Sequence, residues 1–352
     1  MNGRGRGELV VEPLISILIP AFNAEQWIGD TIRSALAQSW RKTEIIVVDD
    51  GSRDRTLAIA QEFASKQVLV IAQENAGAAA ARNRALSMSQ GDFIQWLDAD
   101  DLLAPDKIQK QVDALKILEG KRWLLSSAWG SFLFRTHRAK FKPTALWQNL
   151  PPLEWLLLQM EQNLHMQTAT WLVSRELTEA TGPWDIRLGA CASDDGEYFC
   201  RVILRSEGVR FVSESKVYYR VPASSNQSYV GLSNKKLESQ LLGLRLYIEQ
   251  VCSWQNSART RAACVKFLQS WVHLFYPNRM DLMEQVQNLA RTLGGELGLP
   301  RLSWKYAWIQ KFFGVMTAKR VQLYYNKSKL SLLRFLDKAL LYLEHETAAS
   351  AR

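Results

Sequence analysis

The sequence predicts an α/β fold in which a mostly parallel sheet flanked by helices occupies residues 1–230 and a basic, mainly helical extension occupies residues 231–352. Short β-branched runs alternate with segments of helical period in the first part, and helical periods dominate the second. The chain has 352 residues, 47% of them hydrophobic, which is enough for one large domain with an extension or for two domains. This composition argues against intrinsic disorder.

The distribution of charge supports the same division. The formal net charge is +9. Residues 1–230 contain 26 Lys or Arg against 27 Asp or Glu, whereas residues 231–352 contain 18 against 8. The composition also changes near "SSNQSYVGLSN", so we place the domain boundary at about residue 230.

Neither targeting segments nor a cysteine-based site is indicated. The first fifteen residues hold no apolar stretch long enough for a signal peptide, and no later window approaches a membrane span, so we expect a cytoplasmic protein. The cysteines show no CxxC spacing and no neighbouring histidines, which favours buried free thiols over a zinc site or a redox pair. They are Cys191, Cys200, Cys252 and Cys264.

The first two repeats each pair a buried strand with a helix. "ISILI" (15–19) predicts a strand, and the helix after it could be capped by Asn23, with Gln26 at the capping-box position. "EIIVV" (44–48) predicts the second strand, and Asp54 could cap the helix that follows.

Two further strands complete the predicted parallel sheet. "VLVIAQ" (68–73) is followed by the helical segment "AGAAAARNRALSMS", and "DFIQWL" (92–97) is the fourth strand. Because parallel neighbours need helical crossovers, repeats of this length predict a doubly wound sheet. Ligands of such sheets bind at the carboxyl ends of the strands.

An acidic cluster follows the fourth strand. Asp98 and Asp100 stand two residues apart, so an extended backbone directs both side chains to one face, with Ala99 turned away. Carboxylates held this close repel, unless a hard divalent ion such as Mg²⁺ or Mn²⁺ lies between them. The alternative is a polar turn before the next helix. We expect Asp101 to have a structural role.

The neighbouring strands end in polar residues at the same edge of the sheet. Asp50 could accept the imide N–H of a pyrimidine base, and the Gly51-Ser52 turn permits close approach of a ligand. The alternative is that Asp49 and Asp50 serve turn and helix-cap chemistry. Arg82 could face phosphates or lie on a solvated helix face.

Four segments together resemble glycosyltransferase family 2, whose members are inverting enzymes of GT-A fold, a Rossmann-like arrangement. They are "ISILIPAFNAE", "IIVVDDGSRDRT", "ENAGAAAARNRAL" and "GDFIQWLDADD", in that order and spacing, and the resemblance extends over roughly residues 13–225. It implies a nucleotide-sugar donor whose diphosphate lies on a Mg²⁺ or Mn²⁺ ion held by the DxD motif, with Asp100 as the principal metal ligand. The implied donor-binding residues are Pro20, Phe22, Asn23, Glu25, Asp50, Arg82 and Asp98.

A later segment, "GPWDIRLGACASDDGEYFCRVILRSEG", resembles the acidic signature ED-x-E…R of the same family. By position Asp195 is the general base that takes a proton from the acceptor hydroxyl, with Asp194 as the competing choice. The segment also reads as a helix start capped by Ser193. Trp184 could stack on an acceptor sugar or be buried.

The metal site lacks one familiar element. Some GT-A enzymes supply a late histidine, and none occurs in residues 217–228, where Arg220 could instead neutralise the diphosphate. The histidines are scattered at His137, His165, His273 and His345. The metal would then depend on Asp100, phosphate oxygens and water.

The extension matches no family that we recognise. Its helical segments mix aromatic and basic residues, which fits a packed helical extension, a surface resting on anionic lipid at the inner face of the membrane, or, least well, a nucleic-acid patch.

Two functions of different class follow. The leading one is a glycosyltransferase that moves a sugar from a nucleotide-diphosphate donor, with UDP favoured, to a hydroxyl of a glycan or lipid-linked carrier. The alternative is a catalytically silent GT-A scaffold or binding protein of an envelope-polysaccharide assembly. An aspartate-nucleophile phosphatase is disfavoured because its DxD motif would follow the first strand, and a nucleotidyltransferase because "PAFNAE" is neither glycine-rich nor basic.

Overall fold

The computed structural model describes residues 12–116, 120, 122–189, 194–221, 233–300 and 304–350. Cys191, Ser193 and the predicted boundary near residue 230 lie outside the described residues.

The first part of the chain alternates strands and helices. Its elements are β1 (Ile15–Ala21), α1 (Ile28–Leu36), β2 (Thr43–Asp49), α2 (Thr56–Gln61), β3 (Val68–Ala72), α3 (Ala78–Met88), β4 (Phe93–Trp96), β5 (Leu102–Leu103), α4 (Lys107–Leu115), β6 (Trp123–Phe132), β7 (Lys140–Phe141), α5 (Pro152–Gln162), β8 (Leu172–Ser174), α6 (Arg175–Thr181), α7 (Asp194–Arg205) and β9 (Gly208–Arg220). The second part contains helices only over its described residues: α8 (Asn234–Trp254), α9 (Ala258–Phe275), α10 (Met280–Thr292) and α11 (Ala307–Ser350).

The strands form one mixed, mostly parallel sheet in the order β3-β2-β1-β4-β8-β6-β9-β5, with β7 paired to β6. β1 runs parallel to β2 and β4, and β2 runs parallel to β3, so the carboxyl ends of β1 to β4 share one edge. β8 lies antiparallel between β4 and β6. The α/β class with a helical extension is confirmed.

Alternation along the central strands fills two cores. Leu18 and Ile46 face the side covered by α3 and α7, whereas Ile17, Ile19 and Ile45 face the side covered by α1 and α4. Because successive strand side chains point to opposite faces, a strand covered on both faces is apolar throughout. The near-continuous β-branched runs are therefore explained by two-sided burial.

The start of α1 differs from the prediction. The helix begins at Ile28, preceded by Trp27, and Asn23 does not cap it. Asn23 has a positive φ of 48°, and its Oδ1 accepts the Arg53 N–H at 2.9 Å, so its side chain joins two loops instead. Helix α2 has Arg55 at its N-cap position and no side-chain cap, so Asp54 lies one residue before the predicted place, where its Oδ1 accepts the Thr56 N–H at 2.9 Å.

Helices α8, α9 and α10 pack against the sheet domain. Leu244 of α8, Val272 of α9 and Val286 of α10 belong to the same buried core as Leu156 of α5 and Ile203 of α7. One hydrophobic core thus continues from the sheet domain into the extension.

Helix α11 differs from the other helices in its exposure. It bends at Gly314, where φ is 81° and ψ is 164°, and it is held to the sheet domain by Asp337, which accepts from Arg135 Nε at 2.8 Å. Phe312, Tyr324 and Phe335 are 72%, 75% and 70% exposed. In the part of the chain that the structure describes, every helix is too short or too polar to cross a membrane.

Candidate active site

A cleft of about 1300 Å³ opens at the carboxyl edge of the parallel strands. Strand ends, the start of α3 and the start of α7 each contribute side chains to it. The predicted site residues that line the cleft are Pro20, Phe22, Asn23, Asp50, Arg82, Asp98, Asp100, Asp194 and Asp195. The fold therefore brings together segments that are far apart in sequence, because the carboxyl ends of the parallel strands lie at one edge of the sheet.

The turn after β1 is tied to the turn after β2. The Asn23 N–H donates to Ser52 Oγ at 2.9 Å, and Glu25 Oε2 accepts the Arg55 N–H at 3.1 Å. Glu25 does not line the cleft and acts as a loop tie. Phe22 is 48% exposed on the cleft wall, where its ring is available to a flat ligand group.

Asp50 is buried and fully engaged. Its carboxylate accepts four donors at 2.7 to 3.0 Å, which are Gln73 Nε2, Asn75 Nδ2, the Ala76 N–H and the Gly77 N–H. These donors match the lone pairs of a carboxylate, so in this structure Asp50 shapes the loop before α3. A nucleobase imide could bind Asp50 only by replacing one of them.

Gly51 is required beside that loop. Its φ is +71°, and a Cβ atom there would lie 2.8 Å from the Asn75 backbone nitrogen. The turn after β2 can therefore approach the loop before α3 closely only with glycine at this position.

Arg82 joins two parts of the acidic site. Its side chain is 8% exposed, and its guanidinium donates to Asp194 Oδ2 at 2.7 Å and to Asp98 Oδ1 at 3.0 Å. Burial alone would lower the pKa of this guanidinium, but Asp194 and Asp98 raise it above its usual value. Arg82 is thus a buried counterion of two carboxylates from segments 96 residues apart in sequence, as the numbers 98 and 194 show.

The ring of Trp184 packs against the Arg82 guanidinium. The tryptophan is 2% exposed, stacks on Tyr198 with ring centroids 3.9 Å apart, and lies 4.3 Å from the Arg82 guanidinium carbon. It does not line the cleft, so the buried alternative holds and the predicted stacking on an acceptor sugar does not fit this position. Its ring packs against Tyr198 in the core and contacts the Arg82 guanidinium.

The loop after β4 is fixed by Arg220. The Arg220 N–H donates to Asp101 Oδ1 and its Nε donates to the Asp100 carbonyl, each at 2.9 Å. The guanidinium carbon lies 4.2 Å from the Trp27 ring and 4.5 Å from the Phe132 ring. Arg220 is 4% exposed, so it holds this loop in place and does not face a diphosphate directly.

Negative charge is concentrated around this loop. Burial raises the pKa of Asp101 well above its usual value, and the neighbouring Asp100 and Asp98 raise it further. Asp101 is 1% exposed, which agrees with its expected structural role, while Asp98 and Asp100 line the cleft. Carboxylate oxygens are the ligands that a hard divalent ion prefers.

The protein ligands for such an ion are few. Among the described residues, no group of three or more His, Cys, Asp or Glu side chains is placed to hold a metal. A metal held at Asp98 and Asp100 would therefore need further ligands, such as phosphate oxygens and water.

Asp194 and Asp195 begin α7 and line the same cleft. Asp194 Oδ1 accepts the Asp195 N–H at 3.0 Å. Asp195 Oδ1 accepts the Gly196 N–H at 2.9 Å, and its Oδ2 accepts from the Thr168 hydroxyl at 3.3 Å. Both carboxylates are thus oriented by the first turn of the helix, where the helix dipole favours negative charge.

The two carboxylates have different surroundings. Burial raises the pKa of Asp194 to about 6, an effect that Arg82 opposes and that Asp195 and Asp98 increase. Asp195 is instead held by a backbone N–H and by a hydroxyl that can rotate.

The rest of the late signature, Glu197 and Arg201, forms an ion pair within α7. Glu197 pairs with Arg201 at 2.7 Å, and Arg201 also donates to the Thr181 carbonyl at 2.8 Å. This network fastens α7 to the segment after α6. Sequence reasoning missed Thr168 and His165, which both line the cleft from the segment between α5 and β8 and carry no local motif.

Comparisons with known proteins agree with this geometry. Residues 16–120 match the family model Glycosyl transferase family 2. An uncharacterized glycosyltransferase of Rickettsia typhi is 40% identical over 109 residues, which are 31% of this chain and 34% of that protein. Glycosyltransferase GlyA of Streptococcus pneumoniae is 28% identical over 227 residues, which are 62% of this chain and 32% of that protein. The chain thus matches about a third of the length of each of these relatives.

A solved structure shares the fold. S. aureus TarS 1-349, in complex with UDP-GlcNAc, superposes with a TM-score of 0.60 and 16% sequence identity, covering 80% of this chain and 81% of that one. The superposition includes part of the helical extension, since it covers more of the chain than the sheet domain alone. Residues 16–120 of this chain are therefore similar to glycosyl transferase family 2, and the chain shares its fold with S. aureus TarS.

Proposed function

We propose that the protein is a glycosyltransferase that moves a sugar from a nucleoside diphosphate donor, a UDP-sugar, to an acceptor hydroxyl with inversion at the anomeric carbon. The observation that carries the proposal is that the acidic groups after β4 and at the start of α7 meet in one cleft and share Arg82. The family match over residues 16–120 supports the same activity.

The donor would bind at the carboxyl edge of β1 to β4. The cleft offers the exposed ring of Phe22 and the loop that Asp50 holds before α3. The structurally similar TarS was solved with UDP-GlcNAc, which supports a nucleotide-sugar donor here.

Asp100, with Asp98 beside it, would hold the Mg²⁺ or Mn²⁺ ion. When bound, the ion would neutralise charge on the departing nucleoside diphosphate. Arg82 holds the Asp98 carboxylate in place, and Arg220 fixes the backbone that carries Asp100.

Asp195 is the proposed general base. The acceptor oxygen forms the new glycosidic bond as the bond from the anomeric carbon to the diphosphate breaks, and its proton passes to Asp195. Asp194 is committed to Arg82 at 2.7 Å, which makes it a positioning residue. A single displacement of this kind inverts the anomeric centre.

A screen of nucleotide sugars tests the proposal. Thermal stabilisation and slow hydrolysis are measured for a panel of UDP-, GDP- and dTDP-sugars, each with and without Mn²⁺. We expect a UDP-sugar to raise the melting temperature and to be hydrolysed, with both effects strengthened by Mn²⁺. If no nucleotide sugar stabilises the protein or is hydrolysed, the proposal is wrong.

Helix α11 supports a location for this chemistry at an anionic membrane surface. Residues 304–350 contain eight Lys or Arg against three Asp or Glu, interleaved with exposed aromatic side chains. Aromatic rings settle at the level of lipid headgroups while basic side chains meet lipid phosphate. We therefore propose that α11 rests on the membrane surface without crossing it.

A further inference from the structure

The second half of α11 packs on the sheet domain with its charged face. Arg334, Asp337 and Glu344 are half-buried, and their spacing of three and seven residues places them on one face of the helix. Phe335 and Tyr342, by contrast, are 70% and 60% exposed. An ordinary surface helix buries its apolar face instead. Polar contacts therefore fix the position of this part of α11.

The charged face of α11 holds the loop that follows β6. Asp337 Oδ2 accepts the N–H groups of Phe134 and Arg135 at 3.0 and 3.3 Å, and its Oδ1 accepts from Arg135 Nε at 2.8 Å. Arg135 Nη1 also donates to Glu344 Oε1 at 2.7 Å. The side chains of Arg135 and Asp337 are only 13% and 15% exposed, so salt screens this pair little. One carboxylate thus fastens two consecutive residues of the loop to α11.

The same loop contacts Arg220 on its other side. Arg220 Nη1 donates to the Leu133 carbonyl at 3.3 Å. The centroid of the Phe134 ring lies 5.6 Å from that of Trp27, and the Arg220 guanidinium carbon lies 4.2 Å from the Trp27 ring. Trp27 lines the cleft. The loop after β6 therefore lies between α11 and the residues that fix the Asp100 backbone.

Arg334 of α11 holds the residue that follows Arg220. Arg334 Nη1 donates to the Val221 carbonyl at 2.8 Å, and its guanidinium carbon lies 5.3 Å from the Phe134 ring. Burial lowers the pKa of Arg334, and the negative charge of Asp100 opposes this effect. Helix α11 thus holds both chain segments that surround Arg220, and it does so close to Asp100.

We propose that Asp337 and Arg334 are positioning residues of the donor site, which hold Arg220 and through it the backbone of Asp100. The inference rests on the proposed function. Arg220 Nε donates to the Asp100 carbonyl at 2.9 Å, so a displacement of Arg220 moves the carboxylate that would bind the metal and the diphosphate. The end of the helical extension is then part of the active site, although it supplies no group that touches the donor.

Calorimetry with UDP tests this inference on the full chain, once with Mn²⁺ and once with EDTA. We expect Mn²⁺ to strengthen UDP binding by wild type. Asp337→Ala and, as a second variant, Arg334→Gln should weaken UDP binding in Mn²⁺ by about tenfold and leave UDP binding in EDTA unchanged. A general loss of structure would weaken binding in both conditions. Equal losses in Mn²⁺ and EDTA, or no loss in either variant, would overturn the inference.

Two substitutions of the same chemistry serve as controls. Arg320→Gln removes an exposed arginine of α11. Asp113→Ala removes a carboxylate that is 47% exposed in its pair with Lys116 on α4. Both should bind UDP as wild type does in Mn²⁺ and in EDTA. A tenfold loss in either control would show that the effect is not specific to the charged face of α11.

Hydrogen exchange reports directly on the contact between α11 and the loop. Asp337 accepts the N–H groups of Phe134 and Arg135, so their exchange should be faster in Asp337→Ala. Because coupling between two sites is reciprocal, UDP with Mn²⁺ should slow the same exchange in wild type. Faster exchange in Asp337→Ala together with an unchanged UDP affinity would contradict the proposed role of α11.

The wild-type titrations separate this inference from the proposed function. A gain from Mn²⁺ in wild type that persists in Asp337→Ala and Arg334→Gln overturns the role of α11 alone. If wild type binds UDP equally well in Mn²⁺ and EDTA, the metal site at Asp100 is wrong, and the role of α11 falls with it. If wild type binds no UDP, the proposed function itself is wrong.

Discussion

At the scale of single residues, Arg82 is the link between the two acidic segments. Its planar guanidinium contacts Asp194 and Asp98 at once, at 2.7 and 3.0 Å. An ammonium group is a point charge and cannot reproduce this two-sided geometry.

Replacing Arg82 should damage both stability and turnover. Removing one member of a buried ion pair leaves uncompensated charge, so we expect Arg82→Gln to lower the free energy of unfolding by about 3 kcal/mol. Misplacement of Asp98 and Asp194 should lower kcat about 100-fold, and Arg82→Lys should recover part of the stability but little of the kcat. Urea unfolding and steady-state kinetics measure these effects. Arg187→Gln is the control, since Arg187 is 62% exposed in its pair with Asp185, and an effect there equal to that of Arg82→Gln would contradict the account.

Protonation of Asp194 should make the transfer rate depend on pH near 6. Burial raises its pKa to about 6, so below that pH the carboxyl is protonated and no longer pairs as an anion with Arg82. The transfer rate should therefore fall as the pH drops through 6. In Asp194→Asn, the fall in transfer rate should occur at a lower pH. A fall in transfer rate at the same pH in Asp194→Asn would show that another group causes the pH dependence.

The same group has the opposite effect on stability. Because its pKa is raised in the folded state, the folded protein keeps a proton that the unfolded chain has already released between about pH 4 and 6. The contribution of Asp194 to the free energy of unfolding should therefore decrease as the pH rises through this range. Urea unfolding of wild type and Asp194→Asn across the range measures the difference.

Motifs identified the carboxylates but not their partners. Asp98, Asp100 and Asp195 stand in local patterns at a strand end or a helix start. The pairing of Arg82 with Asp194 joins residues 112 apart in sequence, and Thr168 contacts Asp195 from a segment without a motif. Contacts of this kind depend on tertiary packing, which no local pattern encodes.

At the scale of elements, the first four strands were predicted almost to the residue, because two-sided burial requires continuous apolar runs. The antiparallel insertion of β8 between β4 and β6 was not predicted, since its three residues carry no distinguishing pattern. The start of α1 was misplaced because Asn23 bonds to the neighbouring loop.

Gly51 offers a test of how closely two loops must pack. Gly51→Ala would place a Cβ atom 2.8 Å from Asn75 N at a φ of +71°, adding a clash to backbone strain. Gly182→Ala is a matched control, with a φ of +81° and no atom within 4 Å of the added Cβ. Strain alone should cost about 1 kcal/mol at Gly182, and Gly51→Ala should cost more. Only Gly51→Ala should weaken donor binding, which calorimetry measures. Equal losses in both variants, of the free energy of unfolding in urea and of donor affinity, would contradict this packing.

At the scale of the whole molecule, the charge asymmetry predicted a basic extension after residue 230. It did not reveal that α8, α9 and α10 share the core of the sheet domain. Helical period alone cannot distinguish a face packed on another helix from one that meets lipid. In the structure, α11 differs from the packed helices α8 to α10 because its large apolar side chains are widely exposed.

The membrane proposal predicts salt-dependent binding to vesicles. We expect the protein to float with vesicles that contain anionic lipid at low salt and to be released at high salt, because screening weakens its contact with headgroups. Lys327→Glu combined with Lys329→Glu should weaken flotation, whereas Lys66→Glu on the sheet domain should not. Absence of flotation, with a molecular mass that doubles with concentration, would show that a second copy covers α11 instead.

The most direct test of the central claim is transfer by Asp195→Asn. Asparagine keeps the shape of the side chain but cannot take the proton of the acceptor hydroxyl. With the donor found by the nucleotide-sugar screen, we predict that Asp195→Asn binds the donor as tightly as wild type in calorimetry while transfer falls by about 1000-fold or more. Transfer at the wild-type rate by Asp195→Asn would contradict the claim that Asp195 is the general base of a glycosyltransferase.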